Sequence, residues 1–230
     1  IRDRIRFDNV IINIGDFQLT VNMTVQKGFV TVIGHSGAGK STLLLSLSGH
    51  QDLASGKIFV DQNRIDLLPP NQRPCSVIFQ DFNLFPHLSI AQKLNLECGN
   101  KFFVSEAARK KIQKVLEKVG IAELIDRLPS EMSGGQQSRA ALARVLLQRN
   151  PILLLDEPFS ALGPNQKSEL IELVYSLSKE QDITVLLITH DPKDAKQIPC
   201  HCIVVKDKKA LGPFETSEAL SEDGPLKGYL

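Results

Sequence analysis

The chain has 230 residues, with 27 Lys and Arg set against 26 Asp and Glu for a net charge of +1. That balance excludes a globally basic nucleic-acid binder and an acidic disordered tail, and a prior of about 150 residues per domain favours one elaborated domain. Its longest apolar runs, such as residues 152–155, fall far short of the ~20 residues that a membrane-crossing helix needs.

Arg2, Asp3, Arg4 and Arg6 interrupt any signal-peptide pattern at the start. The first residue is not Met, so a trimmed or processed start is expected. In chain order, residues 18–25 alternate like an antiparallel strand with one wet face, and residues 30–33 form an apolar strand. A Gly-rich loop and a helix over 42–47 follow, then a second alternating strand at 57–61 and an apolar one at 76–79. Residues 105–119 are charged and helical, with Ile112, Val115, Leu116 and Val119 spaced i, i+3, i+4, i+7, and a further helix spans 134–148. Apolar strands return at 152–155, 183–189 and 202–205, and residues 217–230 leave room for one short helix. Strands alternating with helices predict an α/β fold: a mostly parallel sheet with flanking helices, an antiparallel β region, and a helix-rich segment set into the middle.

Four cysteines, Cys75, Cys98, Cys200 and Cys202, are too few and too scattered for a disulfide framework. Cys200-His201-Cys202 is also tighter than the usual spacing of a structural zinc site, so it reads as reduced thiols entering a strand. His50, His87 and His201 read as surface or packing residues.

Gly34, His35, Ser36, Gly37, Ala38, Gly39, Lys40 and Ser41 fit G-x-x-x-x-G-K-[ST], between a strand and the helix that begins near Thr42. Glycines allow a tight loop whose N–H groups converge on an anion, and the helix adds its positive end. Lys40 is placed to reach the β- and γ-phosphates and Ser41 to hold Mg²⁺. A nucleoside triphosphate with Mg²⁺ is therefore the expected ligand. The run of residues 152–155 delivers Asp156 and Glu157 at a strand end, Asp156 for the metal's water shell and Glu157 as general base for an attacking water.

Ser133, Gly134, Gly135 and Gln136 precede a helix and make a second N-terminus able to meet phosphate. With one phosphate loop already present, a second anion site implies two subunits closing over the nucleotide. On these motifs the chain resembles the ABC-type ATPases, the nucleotide-binding subunits of ATP-driven transporters. Its Walker A is Gly34 to Ser41, Gln80 takes the Q-loop position, Ser133 to Gln136 the signature, Asp156 and Glu157 Walker B, and His190 the switch histidine.

That resemblance implies a P-loop NTPase core over residues 1–80 and 150–230 and an inserted helical subdomain over 81–149, in one cassette. Lys40, Gln80, Glu157 and His190 would serve catalysis, Ser41, Gln80 and Asp156 would surround Mg²⁺, and residues 34–42 with 133–136 would hold ATP. Two cassettes would pair head to tail, with integral permease subunits and a periplasmic or extracellular solute-binding protein as partners and no direct nucleic acid. The cassette would lie peripherally on the cytoplasmic face of the bacterial inner membrane. Phe82, Leu84, Phe85, Pro86 and His87 are candidates for the permease contact, with core packing as the alternative.

Within the family, Gln72-Arg73-Pro74, Phe79-Gln80-Asp81, Asn83-Leu84-Phe85 with His87-Leu88, and residues 151–162 look most like the ATP-binding subunits of bacterial thiamine importers. Importers of iron, polyamine, sulfate or molybdate share much of this text. Gly163 replaces the usual Asp, Met132, Gln137 and Ser138 depart from the pattern around the signature, and His35 replaces Pro. No aromatic stands at residues 12–14, where one usually stacks on adenine, so Phe17 or an apolar face takes that place and GTP enters as an alternative to ATP. A soluble ABC ATPase for cofactor assembly also fits this length. A P-loop kinase leaves Ser133 to Gln136 and His190 without a role.

Overall fold

The computed structural model describes residues 3–79, 87–97 and 104–227. Gln80, Phe82, Leu84, Phe85, Pro86 and Cys98 lie outside the described residues. Two compact units are present: one comprises Ile1–Val77, Pro151–Glu157 and Tyr175–Leu230, and the other Ile78–Asn150 and Pro158–Val174.

The first unit is built on a sheet. Its strands are β1 (Asp3–Ile14), β2 (Phe17–Gln26), β3 (Phe29–Ile33), β4 (Ser55–Val60), β5 (Asn63–Arg64), β6 (Cys75–Ile78), β7 (Ile152–Asp156), β8 (Thr184–Thr189), β9 (His201–Lys206) and β10 (Lys209–Glu215). Among the described residues, ten strands form one sheet in the order β5-β4-β1-β2-β10-β9-β3-β8-β7-β6. β3 runs parallel to β8 and β9, and β7 runs parallel to β8, whereas β1 is antiparallel to β2 and β4. Every residue of β3 and β8 is buried, as expected for strands covered on both faces. β2 instead alternates, with Leu19, Val21, Met23 and Val25 buried between wetter neighbours.

The sequence signal missed β1, and its geometry explains why. Ile5 and Phe7 are buried, then Val10 and Ile12, because the register against β2 shifts between Phe7 and Val10. Asn9 sits at φ 49 in that bulge, so the apolar period slips by one residue midway. β10 escaped for a similar reason, its register against β9 shifting between Leu211 and Phe214 across Gly212 and Pro213.

Helix α1 (Lys40–Ser48) follows β3, and Gly49 ends it at φ 81 with its N–H returned to the carbonyls of Leu45 and Ser46. The second unit holds α2 (Ile90–Glu97), α3 (Glu106–Lys118) and α4 (Gly134–Gln148). α3 starts where Ser105 Oγ accepts the Ala108 N–H at 3.2 Å, and it buries Ala108, Ile112 and Leu116. Val119 beyond its end is buried too, while Val115 is only half-buried. α5 (Pro164–Gln181) begins in the second unit and ends in the first. α6 (Pro192–Gln197) and α7 (Thr216–Ala219) complete the first unit. None of the described helices is long and apolar enough to cross a membrane.

Candidate functional site

Parallel pairing fixes where the site lies. Ile33 of β3 is opposite Thr189 of β8, and Ile188 is opposite Asp156 of β7, so three strands end side by side. The chain leaves those ends as the Gly34 loop, as Glu157, and as His190. A crevice outside the carboxyl ends of parallel strands is where such sheets bind ligands.

The loop from Gly34 to Gly39 turns through Gly37 at φ 75 and Gly39 at φ 106, a conformation that residues with a Cβ resist. Gly39 is also pressed by Phe17, whose ring carbon Cζ lies 2.8 Å from where a Cβ would stand. Phe17 therefore lies against the phosphate loop. Gly34 has a different constraint, a Cβ there standing 2.4 Å from the carbonyl oxygen of Val205 in β9. His35, Ser36 and Gly37 are exposed, and Ala38 and Gly39 are half-buried.

Lys40 opens α1 and is only 6 % exposed. Its Nζ donates to the carbonyls of Gly34 at 2.7 Å and His35 at 2.9 Å, so its ammonium lies along the inside of the loop. Burial lowers the Lys40 pKa, and the carboxylates of Glu157 and Asp156 partly offset this. The first turn of α1 has no acidic residue, leaving its positive end uncompensated. Thr42, in the first turn, is buried, and Ser41 is exposed, its hydroxyl bonded to the Asp156 carboxylate.

Asp156 is half-buried at the end of β7. Its pKa is raised, first by desolvation and then by repulsion from Glu157, against the lowering effects of the Ser41 hydrogen bond and Lys40. Glu157 adopts φ 45, a left-handed conformation unusual for a residue with a side chain. Its Oε2 lies 3.3 Å from Nδ1 of His190. Lys40, Ser41, Asp156, Glu157 and His190 thus gather at the carboxyl ends of three adjacent strands.

The mounting of His190 joins the Asp191-Pro192 pair beside it in the sequence to two buried residues whose part the sequence did not reveal, Thr189 and Asp194. Thr189 and Asp194 share a hydrogen bond, both buried, and the Asp191 N–H donates to Thr189 Oγ1 at 3.1 Å. Asp191 also caps α6, its Oδ1 accepting the Lys193 N–H at 2.9 Å. The available signal was the Asp-Pro pair after His190, a helix start with an acid in its first turn.

Ser133 to Gln136 stand on the second unit as the N-terminus of α4. Ser133 Oγ accepts the Gln136 N–H at 3.3 Å, and Gln136 Oε1 accepts the Ser133 N–H at 2.9 Å, a reciprocal cap. Ser133 and Gly134 are exposed. The departures around this motif have structural roles. Gln137 donates to the carbonyls of Pro129 at 2.9 Å and Met132 at 3.2 Å, Ser138 donates to Gly134 O at 2.9 Å, and Met132 is buried beneath the turn.

Of the remaining histidines, His50 Nδ1 is 2.9 Å from Ser48 Oγ, His201 pairs with Glu215 at 2.9 Å, and His87 is exposed. Gln80, expected at this site, lies outside the described residues.

Residues 19–160 match the ABC transporter family. The chain belongs to that family. The cassette is 42 % identical over 228 residues to the thiamine import ATP-binding protein ThiQ of Cereibacter sphaeroides, covering 98 % of this chain and 99 % of that one. It is also 42 % identical over 201 residues to the ThiQ of Escherichia coli, covering 87 % of each. Among solved structures, cbiO1 of Clostridium perfringens, part of the ABC transporter complex cbiONQ, superposes with a TM-score of 0.85 at 27 % identity over 99 % of this chain and 94 % of that one. The cassette binds ATP and is an ATPase of the kind that drives transport.

Proposed function

We propose that this cassette is the ATP-hydrolysing subunit of a bacterial importer for thiamine. The observation that carries the substrate is full-length similarity to a thiamine import ATP-binding protein, with 98 % and 99 % of the two chains aligned. The observation that carries the chemistry is the cluster at the ends of β3, β7 and β8, where Lys40, Ser41, Asp156, Glu157 and His190 converge.

In this reading the loop N–H groups and the N-terminus of α1 receive the β- and γ-phosphates, and the Lys40 ammonium neutralises charge on the γ-phosphate. The donors fit a hard divalent cation, since a half-buried carboxylate and a hydroxyl, bonded to each other, present only oxygen. Ser41 and Asp156 would hold Mg²⁺ with Gln80, and that ion would supply neutralisation of phosphate charge. Glu157 takes a proton from the attacking water, and His190, 3.3 Å from it, orients the carboxylate and meets the γ-phosphate. Ser133 and Gln136, already fastened to each other, present the N-terminus of α4 to the nucleotide of a second copy, giving a head-to-tail homodimer.

Hydrolysis then separates the two copies and is transmitted to integral permease subunits, with a solute-binding protein outside. The cassette sits peripherally on the cytoplasmic membrane face. ATP is the nucleotide, and Phe17 against Gly39 is the aromatic closest in role to a base platform.

Glu157→Gln tests the chemistry. ATP binding is retained, turnover falls by ~10²-fold or more, and the nucleotide-bound dimer accumulates in size-exclusion chromatography. Undiminished hydrolysis removes Glu157 as the base. For the substrate, uptake of labelled thiamine by cells that lack the cassette and regain it is the decisive measurement, and restored uptake of iron or a polyamine instead overturns it.

A further inference from the structure

His190 is the member of the site that its own side chain does least to hold. The imidazole is 62 % exposed, whereas Thr189 before it is 3 % and Asp194 of α6 is 6 % exposed. Its Nδ1 meets Glu157 Oε2 at 3.3 Å, just beyond the usual range of ~2.7–3.2 Å for such a hydrogen bond. With little packing on the ring and no slack in that contact, the backbone on either side sets the direction of the imidazole.

On the amino side the sheet fixes that backbone. Thr189 is the last residue of β8 and is paired with Ile33, the last residue of β3. On the carboxyl side the chain turns at once into α6, and one hydroxyl closes the turn. Thr189 Oγ1 accepts the Asp191 N–H at 3.1 Å, a bond that reaches across His190. The same hydroxyl is hydrogen-bonded to Asp194 Oδ2.

That hydroxyl has a single proton to give, and two acceptors stand within reach. The Asp191 carbonyl is at 3.5 Å and already takes the Asp194 N–H at 3.1 Å. The carboxylate is nearer and charged, so the proton goes to Asp194. A directed chain results, from the Asp191 N–H to the Thr189 hydroxyl to the Asp194 carboxylate, and it straps together the two flanks of His190. Burial strengthens each link, because water does not compete for the same donors and acceptors. The hydrolytic mechanism uses neither Thr189 nor Asp194.

We propose that Thr189 and Asp194 are positioning residues for the hydrolytic step and act through His190, holding its turn so that Nδ1 stays on Glu157. This rests on the roles given above to Glu157 and His190. An exposed imidazole at a strand end samples several directions, and the strap restricts it to the one that faces the base. Such restriction raises the rate of the chemical step and leaves nucleotide binding alone, since the phosphates are held by the loop and by Lys40. All the residues involved belong to the first unit.

Thr189→Val tests the hydroxyl while keeping a branched side chain in the strand. Hydrolysis of Mg-ATP by the full chain is followed at steady state, alongside binding of a fluorescent ATP analogue and thermal denaturation. In Thr189→Val, kcat falls by about 10- to 100-fold, while KM and analogue affinity stay within ~2-fold of the parent. Asp194→Ala has the same effect, and the two changes together are no slower than either alone, because they break one chain. Thr189→Ser, which keeps the hydroxyl, brings kcat back to within ~3-fold of the parent. Either Thr189→Val or Asp194→Ala carries the test when the other does not fold.

His190→Ala supplies the reference. In that background Thr189→Val slows hydrolysis no further, because a residue that acts through His190 has nothing left to position. A full additional loss there overturns the proposal alone, as does a parent-level kcat in a folded Thr189→Val or Asp194→Ala variant. A serine variant as slow as the valine one also overturns it. Parent-level hydrolysis by His190→Ala instead removes His190 from the chemistry, and the proposal falls with it.

Discussion

Replacing Gly34 by alanine tests whether the phosphate loop is held by its contact with β9. Gly34 is buried and does not have a positive φ, so backbone conformation tolerates the change and the difficulty is one of space. The added Cβ stands 2.4 Å from Val205 O and 3.3 Å from both the carbonyl carbon and the Cβ of Val205, where real Cβ contacts are essentially never under 3.0 Å. The obstructing atom is backbone in a strand whose Cys202, Ile203, Val204 and Val205 are all buried, so it has little freedom to yield. Overpacking of this kind costs about 1–3 kcal/mol, and with a rigid carbonyl as the obstacle the upper half of that range applies. For a chain of this size that lowers Tm by roughly 4–12 °C. The displacement falls on the loop itself, because Gly34 O accepts one of the two hydrogen bonds of Lys40 at 2.7 Å. Loss of about 1.4 kcal/mol there weakens ATP affinity ~10-fold. Differential scanning calorimetry and titration with a fluorescent ATP analogue read the two effects. A variant within about 1 °C of the parent Tm and with unchanged affinity refutes the constraint.

Two further outcomes follow from particular residues. Gly163 occupies the N-cap of α5, with the Lys167 N–H bonded to its carbonyl at 3.0 Å, and a side chain there meets open space. Gly163→Asp therefore supplies a capping carboxylate and a less flexible unfolded chain, raising Tm by roughly 2–4 °C in thermal denaturation, and a fall in Tm counts against the assignment. The raised pKa of Asp156 gives a pH signature. Between its unfolded value near 3.8 and its higher folded value, the native state binds the extra proton, so stability from this group is full below that window and is lost as pH rises through it. Asp156→Asn in the nucleotide-free cassette should raise Tm at pH 7 and not near pH 3, and an equal gain at both values refutes desolvation as the cause.

The sequence already contained much of this molecule. The phosphate loop is local, because the glycine spacing, Lys40 and Ser41 between an apolar strand and a helix specify an anion site with no distant partner. α4 was equally legible, with Ser133 and Gln136 three residues apart forming their own cap and the apolar period of Ala140 to Leu147 following. Other features depended on contacts between distant segments. β1 was hidden by the bulge at Asn9, whose carbonyl packs against Gly56, and a period-2 reading cannot follow a slipped phase. Parallel register alone sets Glu157 within 3.3 Å of His190 across 33 residues of sequence, and no local pattern encodes that distance. The same applies to Thr31 and Cys202, 171 residues apart, where strand pairing brings hydroxyls and thiols into one buried cluster. Local chemistry therefore determined which residues can bind phosphate, and the sheet decided which others share their site, because backbone pairing is what brings distant strand ends together.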